Sequence, residues 1–127
     1  MSHALSWFEI PAKDLQRAKG FKGFYEAILQ ATMIEPPGEM KMAFFPADWQ
    51  QGEIGGSIVE GEGYVPSDKG AVVFLNGGED LSKALDRVVA QGGQVLMPKT
   101  AIPMEGGGYF AMFLDSEGNR VGLTSVG

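Results

Sequence analysis

Leu5-Ser6-Trp7-Phe8-Glu9-Ile10-Pro11-Ala12-Lys13-Asp14-Leu15-Gln16-Arg17-Ala18 has a counterpart later in the chain, Ala71-Val72-Val73-Phe74-Leu75-Asn76-Gly77-Gly78-Glu79-Asp80-Leu81-Ser82-Lys83-Ala84. Each is an apolar strand-like run leading into Asp-Leu-x-x-Ala, and Asp80 follows Asp14 by 66 residues. Downstream, Met42-Ala43-Phe44-Phe45 returns as Phe110-Ala111-Met112-Phe113, and the Gly56 region returns at Gly122. A repeat of this length sets the architecture, and two copies are too few for a solenoid. The reading is therefore an internal duplication folded into one domain.

Within the first copy, alternation over Leu5 to Ile10 predicts a strand with Leu5, Trp7 and Glu9 on one face. Pro11 ends it, and Asp14 is a helix N-cap. The helix should run toward Leu29 or Gln30, with a bend near Gly20 and Gly23. Short strands are expected at Thr32 to Glu35, Lys41 to Phe45 and Gly55 to Glu60. The tract Gly61 to Asp68 is rich in turn formers and lacks periodicity, so it joins the modules. In the second copy the strand is Ala71 to Leu75. A helix follows from Glu79 or Asp80, with Leu81, Ala84, Leu85, Val88 and Val89 as its apolar stripe. Gly92-Gly93 should stop that helix in a left-handed cap. Strands at Gln94 to Met97, Tyr109 to Leu114 and Arg120 to Thr124 complete it, the last two joined by the turn Asp115 to Asn119. Module one spans about 4–60, the linker 61–69 and module two about 70–126, each in the order βαβββ.

The 127 residues suit a single domain. Ten basic against sixteen acidic side chains give a net charge of −6. That balance argues against nucleic acid, whose binding needs phosphates neutralised by Lys and Arg, and against anionic membranes. No apolar run is long enough to span a bilayer, and Met1 to Ser6 lacks the pattern of a secretory signal. Cysteine is absent, which excludes disulfides and thiolate chemistry. A cytoplasmic protein is expected.

The duplicated order, together with Trp7-Phe8-Glu9-Ile10-Pro11 through Arg17-Ala18, Gly61 through Ser67, and Phe113 through Leu123 with its Asp115-Ser116-Glu117-Gly118-Asn119, resembles the vicinal oxygen chelate superfamily. This group includes glyoxalase I, bleomycin-resistance proteins, fosfomycin-resistance enzymes and extradiol dioxygenases. The resemblance implies an α+β fold of two tandem βαβββ modules. Their strands form one curved, cup-shaped mixed sheet with helices outside, and the usual assembly is a homodimer. In metal-dependent members a His from the first strand of each module and a carboxylate from the last strand of each hold a divalent cation. The matching positions here are Trp7, Val72 or Val73, Ser57 and Gly122. Indole, valine and glycine cannot coordinate a cation, and a lone serine hydroxyl is a poor ligand. His3, the single histidine, lies outside the cup. No metal and no other cofactor is expected.

What remains is a cup wall. Trp7, Phe44, Ser57, Tyr64, Val73, Met104, Tyr109, Phe110, Met112 and Gly122 are the candidate ligand-binding residues. Trp7 either stacks a flat ligand or plugs the cavity. Glu9, aimed to the same side as Trp7, is the candidate acid or base; it also suits pairing with a cationic ligand, or a place at the rim. The functional expectation is a metal-free protein that binds a small organic molecule. Its alternatives are a metal-independent lyase or isomerase working through Glu9, and a dimeric accessory protein with a filled cavity.

Overall fold

The computed structural model describes residues 3–19 and 23–127. The first module contains β1 (Trp7–Pro11), α1 (Leu15–Lys19), α2 (Phe24–Leu29), β2 (Lys41–Phe44), a 3-10 turn (Trp49–Gln51) and β3 (Gly55–Glu60). The second contains β4 (Val73–Asn76), α3 (Ser82–Ala90), β5 (Gln94–Ala101), β6 (Tyr109–Leu114) and β7 (Arg120–Ser125). The strands form two hydrogen-bonded halves, in the orders β1-β3-β2 and β4-β7-β6-β5. Each half is mixed: its first strand pairs parallel with its last, and the remaining pairs are antiparallel. The α+β fold of two modules is present, with its sheet divided rather than continuous.

Several local expectations meet their physical cause. The Asp14 carboxylate accepts from Arg17 N at 3.2 Å, capping α1. Asp80 does the same for Ser82 N at 3.0 Å, ahead of α3. Gly92, at φ +92°, closes α3, and Gly93 N reaches back to Val88 O at 2.9 Å. The first helix is two pieces; the expected bend includes residues 20–22, which lie outside the described residues. The strand expected at Thr32 to Glu35 is reduced to a single bridge, Ile34 with Phe44. Val89, expected on the apolar stripe of α3, is exposed. No described helix is long and apolar enough to cross a membrane.

The modules share one core on the helix-facing sides of both sheets. Ile10, Ile58 and Ala43 from the first sheet join Leu75, Leu123, Ala111 and Phe113 from the second. Phe24 on α2 packs its ring 5.6 Å from Phe113, so the core continues across the module boundary. Burying side chains of this size contributes about 1.5–3 kcal/mol each, which makes the shared core the main source of cohesion.

The hairpin Asp115 to Asn119 is more than the turn its composition predicts. Asp115, Glu117 and Asn119 are all buried. Glu117 accepts from Lys13 N and Asp14 N, each at 2.8 Å, and from Arg17 Nε at 2.7 Å. Asn119 Nδ2 donates to Pro11 O at 2.7 Å. The polar residues of this turn thus fasten module two onto the β1–α1 junction of module one.

Candidate functional site

Alternation and register place Trp7, Glu9, Phe44, Gly55 and Ser57 on the face of the first sheet turned away from the helices. Trp7 pairs with Gly55, and Glu9 with Ser57. Trp7, Phe44 and Trp49 form a triangle of rings, with centroids 5.7, 5.9 and 5.9 Å apart. Gly55 is required beneath them, because a Cβ there would run into the Trp49 indole. At such separations the rings pack on one another in edge-to-face fashion, and what they offer a ligand is their outer surface. Trp49 is 55% exposed. It is a site residue the sequence reading missed; a tryptophan next to turn formers, outside any strand, was the available signal.

Ser57 is wholly buried and its hydroxyl has no hydrogen-bond partner among the described residues. Such a group costs about 1–3 kcal/mol unless something outside the chain satisfies it. Glu9, its neighbour on β1, is exposed rather than walled in by apolar side chains. The Tyr64 hydroxyl donates to Glu9 Oε1 at 2.9 Å. That bond, and the charge behind it, raise the Tyr64 pKa and keep the phenol protonated.

The second sheet presents the matching face. Phe74 pairs with Gly122 as Glu9 pairs with Ser57, so Phe74 stands where Glu9 stands in the first module. Met112 is opposite Gly122, and Phe110 packs 6.4 Å from Phe74. The same register makes Val72 the counterpart of Trp7. Val73 pairs with Val121 and packs against the shared core, turned away from this face. Tyr109 also packs on the core, beneath Lys99 Nζ at 4.7 Å from its ring. Met104 lies 69% exposed in the loop before β6, apart from the other candidates. The structure therefore groups Trp7, Glu9, Phe44, Ser57 and Tyr64 in one place and Phe110, Met112 and Gly122 in another.

These residues do not suit a divalent cation. A Cβ on Gly122 would clash with the Phe74 ring, so the ring as placed crowds the space a carboxylate there would need. Trp7 and Val72 supply no donor atom. Among the described residues, no three His, Asp or Glu side chains converge as a metal site requires.

Two hollows lie where β1 faces β4. One is an apolar groove of about 690 Å³ whose walls include Leu5, Phe8, Phe45, Ile54 and Val72. The other is a polar pocket of about 150 Å³ reached by Glu9, Ser67, Lys69, Asn119 and Arg120. Arg120 is a second residue the sequence reading missed, since its place beside Glu9 depends on how the modules dock.

The sequence signature of the Glyoxalase/Bleomycin resistance protein/Dioxygenase superfamily matches residues 4–123. The chain belongs to that superfamily. A glyoxalase/bleomycin resistance protein from Albidiferax ferrireducens T118 superposes with a TM-score of 0.71 at 15% identity, covering 97% of this chain and 98% of that one. The fosfomycin resistance protein FosX from Listeria monocytogenes gives 0.68 at 19% identity, covering 100% and 94%. A FosX mutant complexed with Mn(II) and 1S,2S-dihydroxypropylphosphonic acid gives 0.66 at 20%, covering 100% and 95%. Likeness at these identities establishes the fold. No curated protein matches the sequence.

Proposed function

We propose that this chain binds a small organic molecule without a resident metal ion, through the Trp7–Glu9–Ser57–Tyr64 region and the pocket beside it. The observation that carries this reading is the substitution of the whole cation-binding set: Trp7, Val72, Ser57 and Gly122, with the Phe74 ring seated over Gly122. What replaces the set still suits recognition. An aromatic surface, a carboxylate and an unpartnered buried hydroxyl lie side by side, the pattern of an apolar site with a few placed polar groups. A thermal-shift screen of uncharged, cationic and zwitterionic metabolites tests it, because a ligand that binds only the native state raises Tm by mass action. Stabilisation by at least one class, unaffected by a chelator, supports the reading. No stabilisation with any compound favours the accessory protein whose face is filled by its own rings.

A second reading, a lyase or isomerase acting through Glu9, draws on the Tyr64–Glu9 hydrogen bond, which joins a proton donor to an acceptor at the site. Glu9→Gln would then abolish turnover while sparing binding. A homodimer also fits. Trp49 and Phe74 leave much of their rings uncovered, and a second copy set against these faces would close them. Light scattering at micromolar concentration distinguishes monomer from dimer.

A further inference from the structure

Glu9 and Arg120 line the same small pocket and make no ion pair with each other. Glu9 comes from β1 in the first module, Arg120 from the start of β7 in the second. Each is left short of partners. Glu9 accepts from the Tyr64 hydroxyl at one oxygen, Oε1. Arg120 Nη2 donates to Gly70 O across a long 3.3 Å, and its buried Nε has no acceptor among the described residues. A guanidinium N–H shielded from water and left without an acceptor is costly, more so than a neutral donor.

Of the other polar groups at this pocket, Asn119 is engaged within the chain and Lys69 extends into solvent. Lys69 Nζ pairs with Asp68 at 3.3 Å in solvent. Asn119 Nδ2 donates to Pro11 O and Asp115, and its oxygen accepts from Ser67 N at 3.1 Å. The rest of the wall is aliphatic, from Ile10, Pro11, Val65, Ala71, Val73 and Val121. The pocket therefore brings together a guanidinium and a carboxylate that do not pair with each other, in a lining that is otherwise partly aliphatic.

A simple anion here would answer Arg120 and be repelled by Glu9; a simple cation would meet the reverse. A molecule with both charges a few bonds apart satisfies the two together. We infer that the pocket takes a small zwitterion of the amino-acid type, its carboxylate accepting from the Arg120 guanidinium and its ammonium donating to Glu9. The volume of about 150 Å³ restricts the ligand to a small one, and the aliphatic wall favours a short apolar side chain. This inference rests on the small-molecule reading above and names the chemistry of its ligand.

The test is a backbone amide NMR titration of the full chain with the twenty standard amino acids and β-alanine, followed by single-charge analogues of L-valine. The expected result is saturable shifts at residues 9, 65–71 and 119–121 with at least one aliphatic amino acid. Isovalerate and isobutylamine, each carrying one of valine's charges on the same carbon skeleton, should bind at least about tenfold more weakly. Glu9→Gln and Arg120→Met should each lower the affinity for that amino acid by about tenfold or more, in variants whose spectra remain dispersed. Arg120→Lys, which keeps the charge but loses the planar guanidinium fork, should recover only part of it. Isovalerate binding as tightly as L-valine, or affinity indifferent to Glu9→Gln, would overturn the inference in favour of a plain anion site. Absence of shifts at the pocket with every amino acid at about ten-millimolar concentration would overturn it too. Quenching of Trp7 and Trp49 fluorescence by other compounds would in that case leave the broader small-molecule reading standing. Silence in both readouts would remove both.

Discussion

The Tyr25 hydroxyl donates a 2.7 Å hydrogen bond to Asp115 Oδ2 in the middle of the core, joining α2 of one module to the hairpin of the other. Both residues are buried. Asp115 is in turn held by Glu117 N and Asn119 N, each at 2.9 Å, and by Asn119 Nδ2 at 3.0 Å, so its charge is distributed over four donors. Burial first, and the neighbouring Asp115 charge second, push the Tyr25 pKa well above its ordinary value, which keeps the phenol a donor at neutral pH.

Tyr25→Phe keeps the ring packing and removes one of those donors. It should lower unfolding free energy by about 1–3 kcal/mol in urea titrations, with the slope unchanged. A loss under about 0.5 kcal/mol would mean that Asp115 is satisfied without it.

Glu117 sets an acid limit. Burial opposes its charge, but hydrogen bonds from Arg17, Asp14 N and Ser116 outweigh that and hold its pKa below the ordinary glutamate value. A carboxylate whose folded pKa is depressed contributes stability above its unfolded pKa and loses it as pH falls through the folded one. Stability should therefore decline on the acid side of the normal glutamate range. Glu117→Gln should be less stable than wild type at neutral pH and flatter in that acid window. Parallel pH profiles would assign the acid limb to other groups.

Gly122 and Phe74 form a coupled pair. Gly122→Ala should cost about 1–3 kcal/mol because the new methyl meets the Phe74 ring. In the Phe74→Ala background the same change should cost much less. Additive effects on Tm would show that the ring moves aside freely.

Tyr64 reports on Glu9. The hydrogen bond to Glu9 and its charge hold the Tyr64 pKa above the ordinary value. Glu9→Gln should bring it down toward that value in a near-ultraviolet absorbance titration. An unchanged titration would mean that the Tyr64–Glu9 bond is not populated in solution.

How much of this the sequence carried depends on whether the cause was local. Asp14, Gly92-Gly93 and the alternation of β1 were readable because caps and pleats are set within a few residues. The strand at Thr32 to Glu35 shrank to one bridge because only Ile34 finds a backbone partner, and pairing is not a local property. Counting from Asp80, with one extra glycine at Gly77-Gly78, leaves Val72 or Val73 as the cup residue; only the β4–β7 pairing turns Val73 to the core, because a shift of one reverses the face. Asp115-Ser116-Glu117-Gly118-Asn119 read as a turn because turn formers dominate it, and its partners lie 90 to 108 residues away. Trp49 and Arg120 were invisible for a similar reason: their roles arise only when separate segments meet.

The most direct trial of the metal-free site is elemental analysis of purified protein after dialysis against manganese, nickel and zinc salts and then against buffer. The account predicts no transition metal at stoichiometric level, with ligand-induced stabilisation the same before and after chelation. One equivalent of tightly held metal, lost together with ligand binding on chelation, would contradict it.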